Sequence, residues 1–374
     1  MRILLIAVLA VLCATSDAAS VLQPFVDKHE LAGAVTLVAT KEKILSLEAV
    51  GWADIAARRP MRTDCLFWIA SQSKPITAAA LMMLVDEGKV NVDDPVEKYL
   101  PEFKGQMVVA EKDDKHMLLQ KPAHPITVKN ILSHTSGLPF KSPMEEPTLD
   151  LFPLALRVRS YAMVPLQFEP DTKYLYSNAG INTVGRIIEV VSGMCYEEFL
   201  DKRLFKPLGM KDTTFWPTER QLRRLAKCYK PDVARTNLVE TPISQLKYPL
   251  TAADRQPMPA GGLFSTASDL VRFCQMILND GEFQGKRYLS EAAVKQMTSR
   301  QTPPSLKESY GFGWSVGGDG SFGHGGACAT NMTLDRKQGL IFIWMVQHAG
   351  FPGDGKNAQG VFKADAVRKF GGRS

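Results

Sequence analysis

The chain has 374 residues, a formal net charge of +6 and six cysteines. Its lysines and arginines are interspersed with acidic residues, and no run of five or six basic residues occurs, which argues against a nucleic-acid-binding protein. A chain of this length exceeds what a single hydrophobic core ordinarily serves, so one large or two interleaved domains are expected, with room for a cleft between them.

Arg2, the apolar run Ile3 to Leu12 and the small residues through Ala18 and Ala19 form the pattern of an export signal. Residues 1–19 are therefore expected to be removed and the mature protein to be secreted or periplasmic. The apolar run is short against the roughly 20 residues that a spanning helix needs, and no later stretch is long enough to span. Cys13 falls inside this segment behind Leu12, where a lipoprotein signal would carry a small residue. The cysteines that remain, Cys65, Cys195, Cys228, Cys274 and Cys328, are odd in number and contain no CxxC pair. Neither a disulfide framework nor a zinc site is indicated, and most are expected as small buried hydrophobes, with one disulfide in an oxidising compartment left open.

Two β-rich runs, Ala34 to Ala39 and Ile44 to Val50, flank the charged turn Lys41-Glu42-Lys43 and predict an antiparallel hairpin. From Ser71 the pattern changes to helix formers through Leu84 and stops at Gly88, with Pro75 in the first turn where its missing N–H costs nothing. Residues 101 to about 255 predict a mainly helical region, with helices at Val128 to Ser133, Ile181 to Ser192 and Gln221 to Lys227 and no clear alternating strands. The basic patch Arg220 to Arg224 with Lys227 is expected as a solvated helix face. Beyond Gly261 come helical stretches Ser268 to Leu278 and Ser290 to Thr298, strand-like runs Gly311 to Val316 and Leu340 to Gln347, and a helix Gln359 to Phe370. The pattern predicts an α+β protein: a sheet domain from residues 20–100 and 260–374, with a mainly helical domain, 101–259, inserted between its halves. No internal repeat at solenoid periods is present.

Three segments carry chemistry. In Ser71-Gln72-Ser73-Lys74 a three-residue offset puts Ser71 and Lys74 on one helix face, one turn apart. A serine hydroxyl becomes an effective nucleophile when a base takes its proton, and a desolvated lysine can serve. Tyr176-Ser177-Asn178 offers a phenol able to exchange a proton and an amide able to hold a lysine or a substrate. His324-Gly325-Gly326-Ala327 precedes a β-rich segment, where glycines let a strand edge approach a substrate backbone closely.

In this order, the three segments resemble the SxxK, YxN and KTG-like elements of serine β-lactamases and penicillin-binding proteins. Asp93-Asp94-Pro95-Val96, Ile131 to Leu138 and Pro259 to Ser265 extend the resemblance to the class C β-lactamase, D-alanyl-D-alanine carboxypeptidase and family VIII esterase group. The resemblance covers nearly the whole chain beyond the signal. It implies a β-lactamase/transpeptidase-like fold, an antiparallel sheet flanked by terminal helices with the helical insertion. It also implies Ser71 as acylated nucleophile, Lys74 as its proton partner, Tyr176 as general base and acid, and Asn178 as a contact of Lys74 or of substrate. His324, Gly325, Gly326 and Ala327 would line the substrate, with an oxyanion hole from the backbone N–H groups of Ser71 and Ala327. No metal or nucleotide motif appears and the implied mechanism uses no cofactor.

Many β-lactamases of this group carry lysine where this chain has His324. The absence of that fixed charge favours an ester slightly over a D-amino-acid peptide or a β-lactam as the small-molecule substrate. The alternative from another functional class is a penicillin- or peptidoglycan-binding receptor that acylates without efficient turnover. Gly313-Trp314-Ser315-Val316-Gly317 matches the GxSxG nucleophile elbow, but it leads into a turn and a further strand-like segment rather than a helix, so Ser315 is expected as a strand residue. His134 and Ser136 are expected in a structural turn made possible by Gly137. His29, His116, His124 and His348 show no metal-ligand spacing. Oligomeric state has no signature in the sequence.

Overall fold

The computed structural model describes residues 18–372, so most of the expected export signal lies outside the described residues. The two ends of the chain build one sheet. From the N-terminal side come helix α1 (Ala18–Asp27) and strands β1 (Gly33–Ala39), β2 (Ile44–Asp54) and β3 (Arg59–Pro60). Helices α2 (Ser73–Asp86), α3 (Val128–Ser133), α4 (Leu154–Ala162), α5 (Asn178–Ser192), α6 (Ala267–Leu278) and α7 (Glu291–Thr298) follow. The C-terminal side adds β4 (Ser315–Val316), β5 (Ser321–Gly325), β6 (Asn331–Asp335), β7 (Leu340–Met345) and helix α8 (Ala358–Phe370). The sheet runs β4-β5-β6-β7-β1-β2-β3, antiparallel throughout.

The apolar runs place β1 and β7 side by side in the middle, paired Val35 to Met345 and Leu37 to Ile343. A strand apolar at every position needs cover on both faces. Leu340, Phe342 and Trp344 face α1 and α8, with Trp344 stacked on Phe362 at 5.9 Å between ring centroids. Ile341, Ile343 and Met345 face the main core, which includes the side chains of α2 and α6. The period of two thus divides one strand between two hydrophobic layers.

Several elements differ from expectation. The strand foreseen at Gly311 to Val316 shrinks to β4, while β5 and β6 carry the edge. In β6 the buried Met332 and Leu334 alternate with half-buried Asn331 and Thr333, a weaker signal than a continuous apolar run. Helix α4 was hidden by its arginines, of which Arg157 is fully buried and donates to the carbonyl oxygens of Leu149, at 3.1 Å, and Pro257. The inserted region also contains strand pairs, Val108–Lys112 with Met117–Gln120 and Tyr229–Pro231 with Leu238–Glu240. The expected helix Gln221 to Lys227 is only Glu219–Leu222. Beyond it the Arg224 carbonyl accepts from Leu66 N–H at 2.9 Å, and the Arg224 guanidinium pairs with Asp212 and donates to Asp64 O. The basic patch is therefore partly tied into the structure rather than a solvated helix face.

The GxSxG-like segment has a packing role. Ser315 pairs with Gly323 at the sheet edge with its side chain exposed. Gly313 has φ +76°, and a Cβ there would lie 2.8 Å from the Lys74 carbonyl oxygen and 3.0 Å from the Ala78 Cβ. The glycine lets this stretch pass beneath α2. Gly313→Ala is expected to lower stability by about 3 kcal/mol or more, since left-handed backbone strain and overpacking each cost about 1–3 kcal/mol. Denaturant unfolding of the variant measures this.

Candidate active site

Ser71 lies in a single 3-10 turn, Ala70–Gln72, that runs into α2, so the nucleophile candidate stands just ahead of the α-helix proper. Ala70 adopts φ +46°, a left-handed conformation unusual for a residue with a Cβ. Ser73 donates to the Ala70 carbonyl at 2.7 Å and so fixes this turn from the helix side. Ser71 is half-buried, whereas Gln72, Ser73 and Lys74 are fully buried.

The Lys74 Nζ lies 3.1 Å from Ser71 Oγ, 2.7 Å from Asn178 Oδ1 and 2.7 Å from the Ala260 carbonyl oxygen. Asn178 opens α5, capped by the Ser177 hydroxyl, which accepts from Gly180 N–H at 3.0 Å. Burial holds the Lys74 amine well below its ordinary value, because taking an ammonium out of water penalises the charged form. The three acceptors match the three N–H bonds of the ammonium. After loss of one proton, Asn178 and Ala260 still hold the remaining two, and the lone pair faces Ser71.

Tyr176 lies beside this amine, with Lys74 Nζ 4.6 Å from its ring centroid. Burial raises the phenol, with a hydrogen bond to Ser71 acting in the opposite direction. The raised value keeps Tyr176 protonated near neutrality. On its far side the phenol oxygen is 3.5 Å from His324 Nε2, a long contact, while Tyr310 Oη lies 3.0 Å from the same nitrogen. His324 Nδ1 is 2.7 Å from the Gly325 carbonyl oxygen and must donate there, which leaves Nε2 as acceptor for the Tyr310 hydroxyl. Burial, followed by the nearby Lys74, pushes His324 down to about 3, so the imidazole is neutral at physiological pH.

His324 and Gly325 end β5 and pair with Met332 and Asn331. A Cβ on Gly326 would lie 2.6 Å from the Ile69 carbonyl oxygen and 2.2 Å from Thr330 Oγ1, so only glycine lets this turn close on the segment leading to Ser71. Ala327 is exposed at the tip of the turn.

Ser71, Lys74, Tyr176, Asn178 and His324 are thus drawn together from α2 and its preceding turn, the start of α5 and β5. His134 caps α3 at φ +64° and accepts from Ser177 N–H through Nδ1 at 3.2 Å. Its ring also packs 4.6 Å from Tyr176 and 4.7 Å from Tyr310, so this structural residue forms part of the site wall. Two further groups at the site fall outside the three motifs. Ala260 O acts through its backbone and leaves no side-chain signature; Tyr310 had a signal only in its neighbours, Gly311 and Gly313.

The beta-lactamase family profile matches residues 18–366. The chain belongs to the beta-lactamase family. It is similar to Protein Rv1367c of Mycobacterium tuberculosis, 32% identical over 86% of this chain and 87% of that protein. It is also similar to Esterase EstB of Burkholderia gladioli, 30% identical over 78% of this chain and 75% of the other. Among solved structures, EstCE1, a hydrolase with promiscuous acyltransferase activity, matches with a TM-score of 0.78 and 22% identity over 94% of this chain and 97% of that one. The fold is β-lactamase/transpeptidase-like, and this beta-lactamase family member is an enzyme of the serine-hydrolase type. No helix among the described residues is long and apolar enough to cross a membrane.

Proposed function

We propose that the chain is an exported serine hydrolase that forms an acyl-enzyme on Ser71 and acts preferentially on small esters. The observation that carries the mechanism is the placement of Lys74 Nζ within hydrogen-bond reach of Ser71 Oγ while two other acceptors hold its N–H bonds. Neutral Lys74 takes the Ser71 proton as Oγ attacks the carbonyl carbon. Backbone N–H groups of Ser71 and Ala327 receive the developing oxyanion, the kind of contact worth about 2.7–4 kcal/mol in a preorganised site. Tyr176, protonated at rest, gives its proton to the leaving oxygen and becomes a phenolate beside the Lys74 ammonium. In deacylation the phenolate takes a proton from water, and Lys74 returns its proton to Ser71 as the acid leaves.

The ester preference rests on His324. A neutral imidazole engaged with Tyr310 and Gly325 supplies no positive charge for the carboxylate that β-lactams and C-terminal D-amino acids carry. Esterase EstB and the 27%-identical Lovastatin esterase of Penicillium rubens support an ester substrate by similarity.

A panel of p-nitrophenyl butyrate, a D-alanyl-D-alanine peptide and nitrocefin tests this reading. The ester is expected to lead in kcat/KM by about tenfold or more, the scale of one missing charge-assisted contact of about 1.5–3 kcal/mol. High nitrocefin turnover with none of the ester would overturn the preference. Stoichiometric labelling by nitrocefin without turnover of any substrate would establish the receptor alternative instead.

A further inference from the structure

Cys228 and Cys328 stand 100 positions apart in the chain, yet their sulfurs lie 3.6 Å from each other in a buried cluster with Trp68, Ala70 and Phe264. Residues 347–349 run between the two backbones and bond to both. Tyr229 N–H donates to Gln347 O at 2.9 Å, His348 N–H donates to Cys328 O at 2.9 Å, and Ala349 N–H donates to Tyr229 O at 2.7 Å. The thiol pair therefore belongs to a braced part of the fold. It also sits directly behind the site, since Ala70 precedes Ser71 and Cys328 follows Ala327.

We propose that Cys228 and Cys328 close into a disulfide that pins the Gly325–Ala327 turn to the segment carrying Cys228, a redox-set clamp beside Ser71. Its effect on acylation rests on the function proposed above, whereas formation of the bond does not. The sulfurs need approach by only about 1.5 Å to reach a bond length of about 2.05 Å. Cys228 lines a cavity of about 480 Å³ that also has Arg59, Glu240 and Tyr248 in its wall, which gives a small oxidant access to one member of the pair.

The oxidant is a low-molecular-weight disulfide such as oxidised glutathione. Cys228 loses its proton and its sulfur bonds to one sulfur of the oxidant, breaking the oxidant's S–S bond and releasing one thiol. Cys328 then loses its proton, attacks the Cys228 sulfur and releases the second thiol. The two cysteines together give up two electrons and two protons, and the oxidant disulfide becomes two thiols. Cys65 and Cys274 are also buried and Cys195 is exposed; Cys195→Ser removes the competing surface thiol from the experiment.

The full chain carrying Cys195→Ser is equilibrated with oxidised or reduced glutathione, unfolded in excess alkylating agent, digested and mapped by mass spectrometry. The expected oxidised product is a peptide linking Cys228 to Cys328, accompanied by a thermal midpoint several degrees above that of the reduced protein and a changed rate of labelling by a fluorophosphonate. Both responses should vanish with Cys228→Ser. Alkylation of both Cys228 and Cys328 after oxidation would overturn the proposal without requiring any cysteine-pair variant to fold. A linked peptide with unchanged midpoint and labelling rate would overturn the clamp. Loss of fluorophosphonate labelling in both redox states, with the link formed, would instead count against the Ser71 mechanism.

Discussion

Ser71→Ala is expected to abolish covalent labelling and to lower ester turnover by about 10⁴-fold or more, while the protein folds as wild type. The size of the effect follows from the proposed role of Ser71 Oγ as the atom that forms the acyl bond, since its removal leaves the other groups no nucleophile to activate. Stability should change little, because Ser71 is half-buried and gives Lys74 the longest of its three contacts, 3.1 Å against 2.7 Å for Asn178 and Ala260. Intact-mass measurement after fluorophosphonate treatment, alongside p-nitrophenyl butyrate kinetics, checks both halves. Ser315→Ala serves as the control and should keep full activity, because Ser315 is an exposed residue of the edge strand β4. Loss of labelling in Ser315→Ala with retention in Ser71→Ala would reverse the assignment of the nucleophile.

Lys74→Met is expected to lower kcat/KM by about 10³-fold, within the range for removal of a positioned general base. It should also change how stability depends on pH. Burial lowers the Lys74 amine in the folded protein below its value in the unfolded chain. Between those two values the unfolded chain holds a proton that the folded protein has released, so folding becomes more favourable as pH rises through that window. Below the window both states are protonated and the cost of burying the ammonium is fully present. Methionine fills the space without charge, and the variant should lose this slope. Thermal midpoints from pH 6 to pH 10 should therefore show wild type gaining on Lys74→Met as pH increases. Parallel curves would mean that folded Lys74 keeps its proton, which would remove it as the base.

The sequence was most informative where the physics is local. The offset between Ser71 and Lys74, the helix formers that follow, the hairpin around Lys41 to Lys43 and the apolar run at Leu340 are set by spacings within one element. Helix and strand periods decide which side chains share a face before any other segment arrives. Asn178 as a contact of Lys74 or of substrate was legible through family resemblance and Ser315 as a strand residue through the turn that follows it; in the fold Asn178 Oδ1 lies 2.7 Å from Lys74 Nζ and Ser315 belongs to β4. Elements with mixed signals were not legible. Arg157 disguised α4 because a buried arginine is acceptable only when distant carbonyls receive its N–H bonds.

Tertiary structure alone decided the state of the site. Lys74 loses water because α5 and the Ala260 loop close over it, and desolvation is a property of the surrounding packing rather than of four residues in a motif. His324 is neutral because packing removes it from water and Lys74 stands nearby, an effect that outweighs the opposing bond from Nδ1 to the Gly325 carbonyl. Gly313 is required because another segment's backbone lies where its Cβ would be. Cys228 and Cys328 meet across 100 residues because residues 347–349 run between their backbones, a long-range contact that no local spacing encodes.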